Sequence, residues 1–473
     1  MTHTAPVIWW VRRDLRLADN PALTGACSTR RPVIPVYVFD EADEQLGAAP
    51  RFRLGLGLGH LDKKLRGLGS RLILRRGPAL ETLSALLRDT GATHVFAAKA
   101  YHPDELARDK AVLAEAGDLG VDMSWSKSRV LFDPWDVQTG TGGMYRVYSP
   151  FWRAVRGMEV ADLQSSPSRI PRPQKWPESE VLADWGLDCA MHKAAENLAS
   201  HCTVGEAAAQ ERLDWFVEKR VAAYKADRNE PWKDATSGLS ENLAWGEISP
   251  VRIWHAGQKA MAEGRPGAEH FLKELVWREF AYHLMYHTPH ILTRNWREDW
   301  DKFPWTEEVD EKVLAWQQGR TGVDIVDAGM RELWVTGRMH NRVRMIVASY
   351  LCKHLMKHWK IGLKWFEDTL IDWDPASNAM GWQWVAGSGP DAAPFFRIFN
   401  PDRQREQYDA QNRYLTTWLA EGQTNPPDLA LSFFENAPES WRMRPRDIRP
   451  NPIVDLAAGR AAALQAYEIM KKK

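Results

Sequence analysis

Residues 372–400 read DWDPASNAMGWQWVAGSGPDAAPFFRIFN. Two carboxylates, Asp372 and Asp374, precede an amide, Asn378, and two indoles, Trp382 and Trp384. A small-residue run from Val385 to Pro394 follows, closed by Phe395, Phe396, Arg397 and Phe399. Small side chains let a helix backbone come close to a flat group, while aromatics and an amide line the walls. A large buried helix with aromatic anchors has the same composition. The stretch predicts a helix over 377–385.

The rest of the C-terminal half carries the same helical signal. Patterns with helical spacing span 205–227, 239–245, 267–284, 323–336 and 342–358. The N-terminal half differs. Apolar runs at 7–11, 33–39, 71–74, 93–97 and 121–125 alternate with helix-like segments at 51–66, 80–90 and 104–116. That alternation predicts βαβ units and a doubly wound parallel sheet with right-handed crossovers. No GxGxxG follows the first run, so a dinucleotide fingerprint is absent. Between the halves, residues 165–181 are rich in proline (Pro167, Pro171, Pro173, Pro177) and read as part of a linker. The expected division is an α/β unit over 1–130, a linker over 131–204 and an all-α unit over 205–473.

Composition limits the function. A chain of 473 residues exceeds one ordinary core, and 44% hydrophobic with 26% charged residues is globular. No window reaches the length of a membrane span, and the N-terminus lacks a secretion signal. Four scattered cysteines show no metal-ligand spacing, so no metal and a reduced, cytoplasmic setting are expected. Zero net charge argues against a non-specific polyanion binder but leaves room for a local basic patch. Such a patch is suggested by residues 333–364, where Arg338, Arg342, Arg344, Lys353, Lys357, Lys360 and Lys364 occur with no acidic residue. Tryptophan is abundant, 24 against 11 tyrosines. Indole suits both stacking and one-electron oxidation.

The 372–400 stretch resembles the flavin-binding signature of DNA photolyases and cryptochromes, nearly residue for residue over its second half. WWVRRDLRLADNPAL at 9–23 resembles the opening of the photolyase antenna domain, and the likeness runs on to PIVDLAAGRAAALQAY at 452–467. The chain is most like the class I and class III photolyases acting on cyclobutane pyrimidine dimers. The resemblance implies a non-covalently held, bent FAD in its reduced form. It also implies UV-damaged DNA as substrate, a lesion flipped from the duplex, and repair by blue-light-driven electron transfer. A monomer needing no protein partner and no membrane is expected.

The resemblance also assigns residues. Tyr224 and the hydroxyl-rich Thr236, Ser237, Leu239 and Ser240 match the flavin diphosphate segment, although Ser240 as an ordinary N-cap accounts for the same hydroxyls. Glu274 and Trp277, neighbours on one helix face, match the residues that hydrogen-bond and pack the damaged base. Asn341, Arg342 and Met345 lie in RMHNRVRM and match the lesion-facing group, with Trp384 on the apolar side. Dimer photolyases carry asparagine at the position of Asn341, whereas (6-4) photolyases carry histidine. Arg344 is expected to pair with Asp372 beside the flavin, with Asp374 nearby and Asn378 at the reactive flavin edge. Arg278, Arg342 and Arg397 match DNA contacts. Trp382, Trp359 and Trp305 match the chain that brings electrons from the surface, with Trp300 the other candidate for the third place. Glu105 matches the antenna carboxylate of folate-binding relatives, implying methenyltetrahydrofolate, with 8-hydroxy-5-deazaflavin or no antenna as alternatives. A cryptochrome-type blue-light receptor and a (6-4) photolyase are the competing functions. The former usually carries a long C-terminal extension beyond the helical core.

Overall fold

The computed structural model describes residues 5–191, 194–391 and 396–472; Phe395 and the end of the small-residue run lie outside them. The five apolar runs form β1 (Val7–Val11), β2 (Val33–Phe39), β3 (Ile73–Arg76), β4 (His94–Ala98) and β5 (Asp122–Ser126). All neighbours pair in parallel, in the order β3-β2-β1-β4-β5. β1 faces β2 from Val7↔Val33 to Val11↔Tyr37, and faces β4 from Ile8↔Val95 to Trp10↔Ala97. Every residue of β1 and β2 is buried, as a parallel sheet covered on both faces requires. The strand order reverses between β1 and β4, and the carboxyl ends of strands at such a point open a crevice. The crossover helices Ala48–Gly67, Ala79–Thr90 and Pro103–Asp118 lie where the spacing predicted them.

Beyond Ser126 the described residues form helices and irregular segments, with one isolated bridge between Thr306 and Lys357. Two expected helices are broken. The 205–227 pattern divides into Glu206–Lys219, a 3-10 turn Val221–Ala223 and a short turn Tyr224–Asp227. The 342–358 pattern gives Asn341–Ser349, then a π-helical turn Tyr350–His354. Its continuation is stopped because the backbone at Met356 (φ 53°) and His358 turns aside to bond Thr306.

The small-residue run also differs from expectation. The helix Pro375–Ala386 takes in only its first two residues and ends at Gly387 with φ 99°. A Cβ at Gly387 would come within 2.6 Å of the Trp300 ring, and one at Gly389 within 2.8 Å of the Gln383 backbone. These glycines are small because the protein packs against itself there.

The two halves are joined by a buried ion network. Arg53, on Ala48–Gly67, donates to Glu241 (3.1 Å) and to both oxygens of Glu247 (3.0 and 2.6 Å). Arg53, Glu241 and Glu247 are each almost fully buried, and Asn242 completes Glu247 at 2.7 Å. The turn at Gly246 (φ 69°) lies so close to the Arg13 carbonyl that any side chain there would overlap it. Glu241 follows Ser240 directly, so this network fixes the hydroxyl-rich segment 236–240 against the sheet unit.

Candidate flavin and lesion site

Asp374 is the N-cap of Pro375–Ala386: its carboxylate accepts from Ser377 N at 2.7 Å and from the Tyr282 hydroxyl at 2.6 Å. Burial works to raise its pKa, but the Arg278 charge and the Tyr282 and Ser377 hydrogen bonds more than offset it and hold it below the usual range. The Asp374 carboxylate is thus used by the fold. What it adds to the site is its main chain: the Asn378 amide nitrogen donates to the Asp374 carbonyl at 3.0 Å. That leaves the Asn378 oxygen with no partner among the described residues, so Asn378 offers a ligand an acceptor.

One turn on lies Gly381. A Cβ built there meets nothing within 4 Å, although the residue is in a helix interior, where glycine costs about 0.5–1 kcal/mol relative to alanine. The protein's own packing does not call for glycine at this position; a close-approaching flat ligand does. At the edge of the same region Arg344 donates to Asp372 at 2.8 Å and to the Met339 carbonyl at 2.8 Å. The expected pair is present. Asp372 Oδ1 is buried with no partner among the described residues. An unfilled acceptor, an available amide oxygen and a cradle of missing side chain together fit FAD.

The hydroxyl segment is consistent with this. Leu239, not Ser240, is the N-cap of Ser240–Trp245, and no side chain caps it. Capping therefore does not account for the hydroxyls. Arg212 fixes the turn by donating to the carbonyls of Thr236 (2.8 Å) and Ser237 (2.7 Å), with Gly238 at φ 64°. The hydroxyls of Thr236, Ser237 and Ser240 take no partner among the described residues, while Leu239 is core.

Glu274 and Trp277 share a face of Ala268–His287 as expected. Glu274 is ion-paired with Arg228 and lies 3.8 Å from His270. Trp277 stacks on Tyr148, centroids 3.7 Å apart at 7°. Arg228 also sits 5.4 Å over the ring of Tyr224, which packs edge-on against Phe216 and Phe271. Sequence reading missed Arg228 and Tyr148. The i, i+4 spacing of Tyr224 and Arg228 was a usable signal; nothing local pointed to Tyr148, which opens the helix Tyr148–Val155 in the stretch expected to be linker.

Asn341 begins the helix Asn341–Ser349 and is exposed. His340 caps it, accepting from Arg342 N at 3.1 Å, and burial with nearby arginines pushes its ring down to about 4, so it is neutral. Arg342 donates to Asn229 at 2.8 Å and lies 4.6 Å over Tyr408. Met345 packs against the large core. Trp384 donates to the Asp391 carbonyl at 3.1 Å, with the Arg397 guanidinium 5.8 Å over its ring. Arg278 turns inward, donating to the Arg129 carbonyl at 2.6 Å and lying 4.7 Å over Tyr282, so it is not presented as an open surface cation.

The basic run 333–364 does not persist in three dimensions. Arg338 pairs with Glu241, Arg344 with Asp372, Lys357 with Asp310, Lys360 with Glu307 and Lys364 with Glu367. Lys353 is buried. Of that run only Arg342 and the buried Lys353 have no carboxylate partner among the described residues, which overturns the reading of an uncompensated track.

The tryptophans are arranged by ring contacts. Trp382 is 3% exposed, edge-on to Phe366 (5.0 Å) and Trp316 (6.3 Å). Trp359 is fully buried and donates to Asn295 at 2.8 Å. His358 lies 5.3 Å from both Trp359 and Trp305. Trp305 stacks on Trp300 at 5.5 Å and is the more exposed of the two.

Glu105 lies elsewhere, in a cleft of about 1450 Å³ between the sheet unit and the helices, lined among others by His102, Arg108, Arg129, Tyr282 and Trp373. Arg129 donates to Glu105 at 2.8 Å. Burial would raise this carboxyl, but Arg129, Arg12 and Arg108 hold it well below the usual range. No described cluster of side chains could hold a metal ion, and no described helix is long and apolar enough to cross a membrane.

Comparison with known proteins agrees with this geometry. Residues 7–173 match the family described as DNA photolyase, and residues 271–469 the FAD binding domain of DNA photolyase. A deoxyribodipyrimidine photo-lyase of Agrobacterium fabrum is 42% identical over 99% of both chains. Cryptochrome-2 of Arabidopsis thaliana is 33% identical over 93% of this chain and 72% of its own. A crystal structure of a bacterial class III photolyase from Agrobacterium tumefaciens superposes with a TM-score of 0.91 at 42% identity, covering 100% of this chain and 99% of that one. The chain, with an α/β sheet unit followed by a helical FAD-binding unit, belongs to the DNA photolyase/cryptochrome family.

Proposed function

We propose that this protein repairs cyclobutane pyrimidine dimers in UV-damaged DNA, using FAD and blue light. The observation that carries the reading is the open cradle at Gly381, flanked by Asn378 and the Arg344–Asp372 pair, in a chain that aligns end to end with photo-lyases. The chemistry FAD supplies when bound is light-driven donation of one electron, returned after the cyclobutane ring has split. The chain's own residues bind and orient. Arg344, Asp372 and Asn378 hold the isoalloxazine side, with Tyr224 and the 236–240 turn at the diphosphate. Trp277, rigid on Tyr148, and Trp384 form apolar walls for a flipped base. Glu274 and Asn341 meet its polar edge. Glu274 must leave Arg228, or share it, to do so. Arg342 and Arg397 face the phosphates, so affinity falls with salt.

The cleft holding Glu105 suits an antenna chromophore, with methenyltetrahydrofolate preferred over 8-hydroxy-5-deazaflavin. The division at 130 and 204, a cytoplasmic setting and a monomeric state complete the reading. The test is incubation of the reduced, FAD-loaded protein with a dimer-bearing oligonucleotide in blue light and in darkness. Dimers should disappear only in the light. Persistence of cyclobutane dimers under illumination, or repair confined to (6-4) products, overturns the proposal.

A further inference from the structure

The stacked pair Trp300 and Trp305 is not symmetric. Trp300 is 2% exposed, and its buried N–H meets no acceptor among the described residues. Two cations address its ring: the Arg297 guanidinium at 5.3 Å and the Lys353 ammonium at 5.7 Å. Beyond Trp300 the aromatic contact continues to Tyr467 at 5.8 Å and Phe396 at 5.8 Å, themselves stacked at 4.5 Å. Cations attend this branch too, Lys353 at 3.5 Å over Phe396 and Lys471 at 4.4 Å over Tyr467. Trp305 is different. It is partly exposed, donates to the Cys352 carbonyl at 2.8 Å, and among the described residues no lysine or arginine lies over its ring.

Lys353 is the unusual group here. It is 1% exposed, sits in the π-helical turn Tyr350–His354, and meets no carboxylate or hydrogen-bond acceptor among the described residues. Burial, with the neighbouring Arg297, pushes its ammonium down to about 7. A buried cation without a counter-charge is destabilising, and π-turns often mark functional positions. An indole that loses an electron becomes positive. A unit charge at these separations opposes that loss by roughly tenfold or more in a protein-like medium.

We propose that Lys353, together with Arg297, closes the Trp300–Tyr467 branch to the oxidising equivalent and so holds it on Trp305. The proposal rests on the flavin reading above. The oxidant is light-excited, oxidised flavin, which gains one electron. Trp382 is refilled from Trp359, and Trp359 from Trp305 past the ring of His358. Trp305 ends one electron short, and its indole proton leaves to water at the partly exposed ring. Lys353 and Arg297 touch neither flavin nor substrate; they act through the potential at Trp300.

The experiment uses the FAD-loaded, oxidised protein at pH 6, with laser-flash absorption and electron paramagnetic resonance to tell tryptophanyl from tyrosyl radicals. The wild type should give a tryptophanyl signal alone. Trp305→Phe should lower the long-lived radical yield by roughly tenfold although Trp300 remains beside it. Adding Lys353→Met should restore the yield, with a tyrosyl component that Tyr467→Phe removes. Lys353→Gln serves as a second variant of the same charge, and melting curves report whether each variant is folded. A full radical yield in Trp305→Phe alone overturns the proposal, as does a folded double variant in which no yield returns. An undiminished signal in Trp382→Phe is a separate outcome: it defeats the tryptophan line itself, and with it this part of the functional reading.

Discussion

Gly362→Ala tests how firmly Trp382 is held. Gly362 lies in the helix Trp359–Thr369, and a Cβ built there overlaps the outer ring of Trp382. Even Cζ2, the farthest of the three nearest ring atoms, would be 2.5 Å away. Carbon contacts are comfortable from about 3.5 Å, so the indole has to retreat by about 1 Å or more. Phe366 and Trp316 pack edge-on against it, and the ring is 3% exposed, so there is little room to yield. Overpacking of this kind costs about 1–3 kcal/mol. Alanine in place of helical glycine returns about 0.5–1 kcal/mol. The expected result is a net loss of up to about 2.5 kcal/mol, centred near 1, seen as a lower urea midpoint at unchanged slope. Gly117→Ala is the control. Its Cβ meets nothing within 4 Å in the helix Pro103–Asp118, and it should gain slightly. Equal midpoints for the two variants would refute the argument that packing fixes the Trp382 ring.

Asp372→Asn keeps the shape beside Arg344 but removes the charge. FAD affinity measured by titrating apoprotein should fall by about 1.5–3 kcal/mol, roughly ten- to a hundredfold, and an unchanged affinity would remove the pair from the site. Arg53→Met leaves Glu241 and Glu247 buried without their shared cation. A loss of about 3–5 kcal/mol in unfolding free energy is expected, largely recovered when both glutamates are also changed to glutamine, and a neutral single variant would disprove the role of the network. The pH dependence follows from His283, His340, His354 and His358, each pushed down to about 4 chiefly by burial. Their depressed values mean the neutral rings contribute stability that is complete above about 6.5 and lost as pH falls towards 4. Urea midpoints at pH 7, 5.5 and 4.5 should fall in that order; a flat series contradicts the burial of these rings.

How far the sequence led depended on the range of the interactions. The sheet was legible because β1 and β2 are continuous apolar runs between helical segments, a local pattern with one common outcome. The Arg344–Asp372 pair was legible through its motifs. The basic run was misread because counter-charges arrive from Glu241, Asp310 and Glu307, on other segments, and from Glu367, just past its end on the helix of Lys364. The stack of Tyr148 on Trp277 joins residues far apart in the chain, and no spacing rule could have found it. The small residues after Ala386 were read as room for a ligand, yet Gly387 and Gly389 face Trp300 and the Gln383 backbone. Gly381, the position that does face open space, was passed over because a lone glycine inside a helix carries little signal.

The Arg53 network imposes a timetable on the growing chain. Arg53 and Glu247 are separated by 194 residues. A ribosome adding about 5–20 residues per second takes on the order of 10–40 seconds to cover that distance. From Ser126 onward the sheet unit is complete in sequence, but its guanidinium still has neither carboxylate. The nascent sheet unit must keep Arg53 hydrated, with the face of Ala48–Gly67 around it open, until the segment at 241–247 leaves the exit tunnel. Docking of that segment then buries the charge and sets the 236–240 turn in one event. Flavin capture during synthesis is accordingly expected only after this point, however early the sheet itself has formed.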